Sequence, residues 1–425
     1  MLTSPYPFFQ SLSREINQMQ ADYRNMEPIH GERLKEIVGG LRQKYVPLLT
    51  DGAFANQLAT VRGHGKEGFM TVVLDPNPKA LAFYSRFSIP VVSPNYIDEP
   101  GEYWAFVLKA GQIIRENGKV PILTVGDSEW LLDSMVHFGL EKLATVFAIN
   151  QDYELQWELQ DKYFQYQKAA EAGIIMPRTW LGDDAFFKSS IDLPYPILVK
   201  ERRGKKVFRE TGKQAFEAES WEQLLKIKEQ LGAGSEILIQ EKISDNGSEN
   251  MFSVGAFCRE GGAAEAFFTS RRVRSTREFG STALSVSEPC PDGVDAARTF
   301  LKYLKYHGSC ELEFIYDSKR QQLILLELNS RLYKTQSLAT HCGINFNYLA
   351  LLDAMKKPAV AELKQIYGPG WWLAWGDLAA GVRKMQKGEM TFRDFMAPLS
   401  FDFVNGIDDL DDPLPGFVNL FNGKY

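Results

Sequence analysis

The stretch LLELNSR, residues 325–331, follows a leucine pair with a carboxylate, an amide and a guanidinium at alternate positions. Side chains alternate between the two faces of a β-strand, so Glu327, Asn329 and Arg331 share one face while the leucines flanking Glu327 share the other. The three polar side chains on one face of a hydrophobic strand need polar groups opposite them. The stretch therefore predicts a strand with one face in a core and the other in a polar site.

A second strand, CELEFIYD (residues 310–317), supplies that partner. Glu311 and Glu313 share one of its faces, and the following DSKRQQ is typical of a tight connection. A hairpin of the two strands would place Glu313 opposite the row of Glu327. Converging carboxylates repel each other unless a cation lies between them, and oxygen ligands without His or Cys favour Mg²⁺. The residues alone leave two interpretations open: a magnesium site with Arg331 beside a phosphoryl group, or a salt-bridged sheet face.

Bulk composition narrows the class of protein. The chain has 425 residues, 44% hydrophobic and 24% charged, which is typical of a folded globular protein of about two to four domains. A net charge of −6 argues against nucleic-acid binding. The N-terminus lacks a signal-peptide pattern and no long apolar run is present, so neither secretion nor a membrane association is expected. Four cysteines without a CxxC pair predict reduced thiols in a cytoplasmic protein.

Changes of pattern along the chain predict four segments and a fold that is α/β followed by α+β. Residues 1–47 predict a helical N-terminal extension. In residues 48–151, short apolar runs such as MTVVLD and IPVVS alternate with helical patterns, which predicts a Rossmann-like parallel sheet. TDGAFANQ has one glycine where a dinucleotide fingerprint needs three, which argues against an NAD site. Residues 152–355 predict an α+β domain with a small lobe at about 175–240, and residues 356–425 a C-terminal extension packed on the core.

The order of the motifs resembles the ATP-grasp superfamily over about residues 48–355. DKYFQYQKAAEAGIIMPRTW resembles its entry segment, YPILVK the strand with a phosphate-binding lysine, and ILIQEKI the adenine-contacting hinge. ELEF followed by LLELNSR resembles its metal-binding end. The N-terminal half is similar to predicted ATP-dependent carboxylate-amine ligases, which are related to the large chain of carbamoyl phosphate synthetase and to D-aspartate ligases. The resemblance implies a Rossmann-like pre-ATP-grasp domain followed by a two-lobed ATP-grasp domain.

The resemblance implies a set of residues that bind ATP. Lys200 and Lys162 would lie at the phosphates, the loop ERRGKK would close over them, and Glu249 would hold the ribose. The competing interpretations are a solvated helix lysine for Lys162, an exposed strand-end lysine for Lys213 and a surface glutamate for Glu249. The nucleotide-binding residues implied in this way are Lys162, Lys200, Gly204, Lys213, Gln240, Glu241, Lys242, Ile243 and Glu249.

The resemblance also implies metal ligands and catalytic arginines. Glu313, Glu327 and Asn329 would hold two Mg²⁺ ions, with Mn²⁺ as a possible substitute. Arg331 would stabilise the transferring group. In TSRRVRSTREFGST, the residues Arg271, Arg272 and Arg274 fall where relatives place basic residues on the acceptor side, and Arg272 is assigned the catalytic role. A charged strand edge is the alternative for these three arginines.

The function implied is an ADP-forming carboxylate-amine ligase. Amino acids or small peptides would be joined by an amide or peptide bond through an acyl phosphate. The rival functions are an ATP-grasp carboxylase or kinase, and an ATP-binding regulatory module without turnover. The expected partners are small-molecule carboxylates and amines, without nucleic acid or membrane, in a cytoplasmic protein that forms a possible homodimer.

Overall fold

The computed structural model describes residues 31–126, 129–189, 191–204, 211, 213–232, 236–243, 250–276, 280–331, 333–400 and 402–422. Most of the predicted helical extension, residues 1–30, lies outside the described residues. No helix in the described part of the chain has both the length and the apolar character needed to span a bilayer. The four cysteines are buried free thiols, as their spacing predicted.

Helices and strands alternate in the first third of the chain, and strands dominate the middle. In chain order the elements are α1 Gly31–Gly40, β1 Tyr45–Thr50, α2 Ala55–Lys66, β2 Thr71–Asp75, a 3₁₀ helix Leu81–Tyr84, β3 Ser88–Val92, α3 Pro100–Glu116, β4 Val120–Val125, α4 Glu129–Phe138, α5 Leu140–Ala144, α6 Tyr153–Glu158, α7 Lys162–Glu171, β5 Thr179–Leu181, α8 Asp184–Lys188, β6 Ile197–Glu201, β7 Ala215–Ala218, α9 Trp221–Leu231, β8 Ile237–Glu241, β9 Met251–Arg259, β10 Ala263–Ser275, β11 Thr282–Ser287, α10 Pro291–Leu304, β12 Gly308–Asp317, β13 Gln322–Asn329, α11 Gln336–His341, α12 Phe346–Ala354, β14 Gly370–Trp372, α13 Ala374–Gln386, α14 Phe392–Met396, a 3₁₀ helix Ala397–Ser400, β15 Phe403–Asn405 and α15 Leu414–Asn422.

The first compact unit contains residues 1–150, 347–359 and 405–425. Its four strands pair in the order β3-β2-β1-β4, and every pair is parallel. The strands are rich in Val, Ile and Leu, and β2 is buried along its whole length, as expected for a parallel sheet covered on both faces. The predicted Rossmann-like α/β organisation is confirmed.

A buried aspartate fixes the C-terminal residues of this unit to its N-terminal part. The carboxylate of Asp412 accepts hydrogen bonds from Arg62 Nε at 2.9 Å, from Ser85 Oγ at 2.8 Å and from the Arg86 backbone nitrogen at 2.9 Å. Arg62 also donates to the carbonyl oxygens of Ile407 and Asp412. These contacts hold the segment that precedes α15 against the helix α2.

The second unit contains residues 151–346 and 360–404 and has two sheets. A four-stranded sheet has the order β5-β8-β6-β7, and a seven-stranded sheet has the order β13-β12-β9-β10-β11-β14-β15. One face of the larger sheet packs on α7 and α10 around Leu312, Leu328 and Phe300, which are all almost fully buried. This unit carries every described residue of the predicted site.

The observed units divide the chain differently from the predicted segments at three places. Residues 347–359, which include the end of the predicted ATP-grasp domain, belong to the first unit. Strand β1 begins at Tyr45, before residue 48, because Tyr45–Thr50 pairs along its whole length with β4. The predicted C-terminal extension, residues 356–425, is shared: residues 360–404 belong to the second unit, where they add β14 and β15 to the larger sheet, and residues 405–425 belong to the first. The four-segment division of the chain stays a prediction.

Candidate active site

Strands β12 and β13 form the predicted hairpin and carry a row of acidic side chains. Glu313 pairs with Glu327, and Glu311 pairs with Asn329. Residues directly opposite each other in an antiparallel pair project from the same face, so these four side chains lie together on one face of the sheet. The register shifts between Glu313 and Phe314, where the partner strand has one extra residue, Leu326. Such bulges are common next to active sites, where they re-aim side chains.

Helix α7 holds β13, which is an edge strand of the larger sheet. Tyr166 Oη donates to the carbonyl oxygen of Leu326 at 2.9 Å. The side-chain amide of Gln165 accepts from the nitrogen of Leu328 at 3.0 Å and donates to its carbonyl oxygen at 2.9 Å. The free backbone groups of this edge are therefore used to fix the strand that carries Glu327 and Asn329.

The carboxylates of the row lie close to one another. The Asn329 amide nitrogen donates to Glu313 Oε1 at 3.2 Å and to Glu311 Oε2 at 3.4 Å, so it lies between them. Burial and the neighbouring charge of Glu313 raise the pKa of Glu311 above its ordinary value, while a hydrogen bond from Ser253 and the charges of Arg272 and Arg331 oppose this rise. Glu311 was not among the predicted site residues, although strand alternation had placed it on the same face as Glu313.

The two predicted phosphate-binding lysines differ in their contacts, and Lys162 is the one with a contact to the acidic row. Lys162, the first residue of α7, places Nζ 3.8 Å from Glu327 Oε1. Lys200 in β6 donates to Gln240 Oε1 at 2.7 Å. Burial lowers the pKa of the Lys200 ammonium, and the nearby charges of Glu327 and Glu313 oppose the shift. The two ammonium groups and the carboxylates thus belong to one electrostatic cluster.

Asp161, which precedes Lys162, connects the start of α7 to the basic loop. Its carboxylate caps the helix through the nitrogens of Tyr163 and Phe164 and accepts from Arg202 Nη2 at 2.6 Å. Burial would raise the pKa of Asp161, but the hydrogen bonds and charge of Arg202 outweigh burial and lower it. Gly204 has a φ of +75°, a backbone conformation that favours glycine. The sequence analysis predicted Lys162 of the DKYF motif as a site residue but did not predict Asp161.

The predicted hinge residues have defined contacts. The Glu241 side chain is paired with Arg178, at 3.2 Å, and with Arg320. Lys242 Nζ lies 2.7 Å from Glu217. The backbone nitrogen of Glu241 donates to the carbonyl oxygen of Arg178 at 2.8 Å, and the contact of this segment with a nucleotide base stays a prediction.

The end of the hinge is apolar. Ile243 packs with Ile315 and Ile324, and Ile315 follows Glu313 on the same strand face. An apolar patch therefore lies directly beside the acidic row.

One predicted nucleotide residue, Lys213, has no described contact with this cluster. Lys213 is exposed, and the contact recorded for its ammonium is with the ring of Phe216, 5.4 Å from the centroid. Glu249, the predicted ribose ligand, lies outside the described residues. The proposed nucleotide-binding roles of both stay predictions.

The three arginines of β10 have different surroundings. Arg272 Nη2 lies 3.2 Å from Glu313 Oε2, and Arg272 Nε donates to Thr282. Arg271 pairs with Glu288 at 2.8 Å. Arg274 forms a buried ion pair with Asp377. Arg272 is therefore the one of the three that reaches the acidic row.

A β-bulge explains why Arg272 and Arg274 point apart. Strict alternation would place both on one face, but Arg272 pairs with Ser285 and Arg274 pairs with the adjacent Leu284, so Val273 is an extra residue. The bulge turns Arg274 to the other face, where Asp377 is fully buried and also accepts from Trp372 Nε1. The sequence gives no signal for this change of face.

The row has the donor chemistry that Mg²⁺ requires. Glu313, Glu327 and Asn329 offer carboxylate and amide oxygens on one face, the hard ligands that this ion binds. No three His, Cys, Asp or Glu side chains of the described residues converge closely enough to hold a metal by themselves. Binding of Mg²⁺ here would depend on additional oxygens, as is usual for Mg²⁺ that bridges protein carboxylates and phosphates.

The two sheets of the second unit, with Lys200 on the small sheet and the acidic row on the large one, are the arrangement of the ATP-grasp fold. Comparisons with known proteins agree. Residues 293–351 match the family model described as the carbamoyl-phosphate synthase L chain, ATP binding domain. The amino-acid sequence matches no curated protein significantly.

Solved structures with the same fold cover most of the chain. N5-carboxyaminoimidazole synthetase from Staphylococcus aureus complexed with ADP is 16% identical, with a TM-score of 0.58, and the match covers 76% of this chain and 81% of that chain. N5-carboxyaminoimidazole ribonucleotide synthetase from Thermotoga maritima is 15% identical over 76% and 78% of the two chains, with a TM-score of 0.54. Biotin carboxylase from Campylobacter jejuni is 14% identical over 76% and 74%, with a TM-score of 0.56. The predicted ATP-grasp fold is confirmed.

Proposed function

We propose that the protein is an ATP-dependent, ADP-forming ligase that joins a carboxylate to an amine, with amino acids or small peptides as substrates. The observation that carries the proposal is that two cations reach the acidic row, Lys162 at 3.8 Å from Glu327 and Arg272 at 3.2 Å from Glu313. Cations that reach a row of metal-binding carboxylates are what a triphosphate with bound Mg²⁺ requires. The apolar patch around Ile243 provides a surface for the base beside those phosphates.

In the first step, Lys162 and Lys200 hold the phosphates of ATP, and a substrate carboxylate oxygen attacks the γ-phosphorus. The bond to the β-phosphate oxygen breaks, ADP leaves, and an acyl phosphate forms. Glu313, Glu327 and Asn329 would hold Mg²⁺. The bound ion would neutralise part of the negative charge of the phosphates. The residues act by positioning and electrostatic stabilisation, and no nucleophilic side chain takes part.

In the second step, the amine nitrogen attacks the carbonyl carbon of the acyl phosphate. A tetrahedral oxyanion forms, and the guanidinium groups of Arg331 and Arg272 would stabilise it. The bond between carbon and the phosphate oxygen breaks, inorganic phosphate leaves, and the nitrogen loses its proton to give an amide. The products are an amide, ADP and phosphate.

A hydroxylamine screen tests this function. Hydroxylamine can replace the amine, so the purified protein with ATP, Mg²⁺ and single amino acids or dipeptides should release ADP and form a hydroxamate of the correct mass. A following screen of amine partners, with mass measurement of the product, identifies the second substrate. Absence of carboxylate-dependent ADP release across both screens would contradict the proposal.

Carboxylation is a second candidate, because the solved structures named above include N5-carboxyaminoimidazole synthetase and biotin carboxylase. In that reaction bicarbonate is the carboxylate that attacks ATP. ADP release that requires bicarbonate and no other carboxylate, with labelled bicarbonate carbon in the product, would favour carboxylation over ligation.

A further inference from the structure

The acidic row becomes more buried from one end to the other. The side chain of Glu327 is 37% exposed, that of Glu313 is 24% exposed, and Glu311 as a whole is 7% exposed. Glu327 and Glu313 are therefore accessible to a nucleotide and its metal. Glu311 lies at the closed end of the row, where the proposed mechanism assigns it no role.

A tyrosine hydroxyl lies beside Glu311 at this closed end. Glu311 pairs with Gly255 of the neighbouring strand β9, so a side chain at position 255 would project next to Glu311. That position is taken by Tyr333, whose Oη lies 2.2 Å from where a Cβ of residue 255 would be. Glycine is required at 255 because any side chain would displace the tyrosine ring.

The Tyr333 hydroxyl has an unused hydrogen-bonding capacity. Tyr333 is 2% exposed, and within the described part of the chain its Oη has no hydrogen-bond partner. A buried hydroxyl without a partner costs free energy that a phenylalanine would avoid. Its position beside a buried carboxylate indicates that a ligand group completes the arrangement.

We propose that Glu311, Tyr333 and Ser253 bind the ammonium group of the amine substrate, an inference that rests on the proposed ligase function. The Ser253 hydroxyl is hydrogen-bonded to Glu311, so one carboxylate and two hydroxyls surround this corner. An alkylammonium has three N–H donors and needs three acceptors, which these groups supply. The substrate class is therefore a primary amine that arrives as a cation and releases one proton to solvent before its nitrogen attacks the acyl phosphate.

The surroundings favour an ammonium over a second metal ion. A magnesium ion retains several waters and prefers carboxylates to hydroxyls, whereas this corner is nearly closed and offers two hydroxyls with one carboxylate. A bound cation would offset the cost of burying Glu311 next to Glu313. Arg331 follows Asn329, the residue paired with Glu311, by two positions, so an amine held here lies near the residue assigned to the acyl group.

Two small nucleophiles of different charge test this inference. Hydroxylamine is neutral near pH 7, whereas methylamine is a cation of the proposed class. With the carboxylate identified in the hydroxamate screen, methylamine should either form a methylamide or inhibit hydroxamate formation. The methylamine concentration that gives half of the maximal effect is called here the half-effect concentration. Whether the effect is amide formation or inhibition, it measures how tightly methylamine binds at Glu311, Tyr333 and Ser253.

Glu311→Gln should raise this half-effect concentration by about 10- to 100-fold more than it raises the KM for hydroxylamine, because a charge-assisted contact is lost. Tyr333→Phe should raise it by about 5-fold and should not lower the melting temperature, since the hydroxyl has no protein partner to lose. Glu288→Gln, the same change at a glutamate outside the acidic row, is the matched control and should leave both values unchanged.

The outcomes separate this inference from the proposed function. If the wild-type protein makes no hydroxamate with any carboxylate, the ligase function itself fails. If hydroxamate forms but methylamine neither reacts nor inhibits, the ammonium site is overturned. It is also overturned if Glu311→Gln affects both nucleophiles equally while raising the Mg²⁺ concentration needed for half-maximal rate, which would make Glu311 a metal ligand.

Discussion

The two units each bury a carboxylate cluster, and the two clusters are built in opposite ways. In the first unit, Asp412 accepts from Arg62, from Ser85 and from a backbone nitrogen, all within 2.9 Å. In the second, Glu311 and Glu313 accept from Asn329 at 3.4 and 3.2 Å, and the cations beside the row stand farther off, with Arg272 at 3.2 Å from Glu313 and Lys162 at 3.8 Å from Glu327. The first cluster is fully paired by the protein, and the second brings like charges together.

This difference separates a structural cluster from a functional one. A buried charge that the protein pairs and hydrogen-bonds stabilises the fold against loss of either partner. Carboxylates that face each other destabilise the free protein and become favourable when a cation joins them. Substitutions should therefore lower stability in the first cluster and activity in the second.

The largest effect is expected for Glu327→Gln. The substitution removes the negative charge of one proposed metal ligand. It should lower carboxylate-dependent ADP release by about 1,000-fold, as expected when a group that stabilises transition-state charge is removed. The melting temperature should change little, because the loss of a like-charge neighbour is offset by the loss of the 3.8 Å contact with Lys162. Coupled ADP assays and thermal melts of the two proteins measure both. Full turnover in this variant would refute the assignment of Glu327 to the metal.

Asp412→Ala should have the opposite signature. It leaves the Arg62 guanidinium buried without its carboxylate, which should lower the free energy of unfolding by about 3–5 kcal/mol. Urea unfolding of the wild type and variant measures the loss. Asp411→Ala changes the adjacent, exposed aspartate and serves as the matched control, with an expected loss under about 0.5 kcal/mol. Equal losses for the two variants would show that Asp412 is not a structural centre.

The arginines of β10 repeat the same contrast within one strand. Arg272→Gln removes a cation that reaches Glu313 and should lower kcat by about 100-fold with little change in melting temperature. Arg274→Gln leaves the fully buried Asp377 without its cation and should lower the free energy of unfolding by about 3 kcal/mol. Measuring kcat and urea unfolding for both variants decides the roles. A loss of stability from Arg272→Gln as large as that from Arg274→Gln would contradict the distinction.

Much of the site could be predicted because it depends on local periodicity. Strand alternation placed Glu313 and Glu327 on facing positions, and the pairing in the structure agrees. Short apolar runs between helical patterns likewise predicted the parallel sheet. These features require the period of a strand and a short connection, which nearby residues determine.

Other features depend on contacts that sequence spacing does not report. The bulge at Val273 changes the face of Arg274, and the return of Asp412 to Arg62 joins residues 350 positions apart. Tyr333 reaches Gly255 across the sheet, so its place beside Glu311 follows from the packing of two strands and the segment after them. Such contacts are set by tertiary structure, and a single sequence carries no periodic signal for them.

The smallest expected effect concerns His64, a neutral buried group of the first unit. His64 is 1% exposed, its Nδ1 lies 2.9 Å from Thr71 Oγ1, and burial lowers its pKa to about 3. The unfolded chain takes up this proton below pH 6.5 and the folded protein does so near pH 3, so stability falls as the pH is lowered through that interval. Between pH 7 and pH 5 the wild type should lose about 2 kcal/mol from this group, a loss that His64→Gln should remove and that the exposed His137→Gln should retain. Urea unfolding of the three proteins at both pH values measures it, and an equal acid-induced loss in His64→Gln would place its origin in other groups.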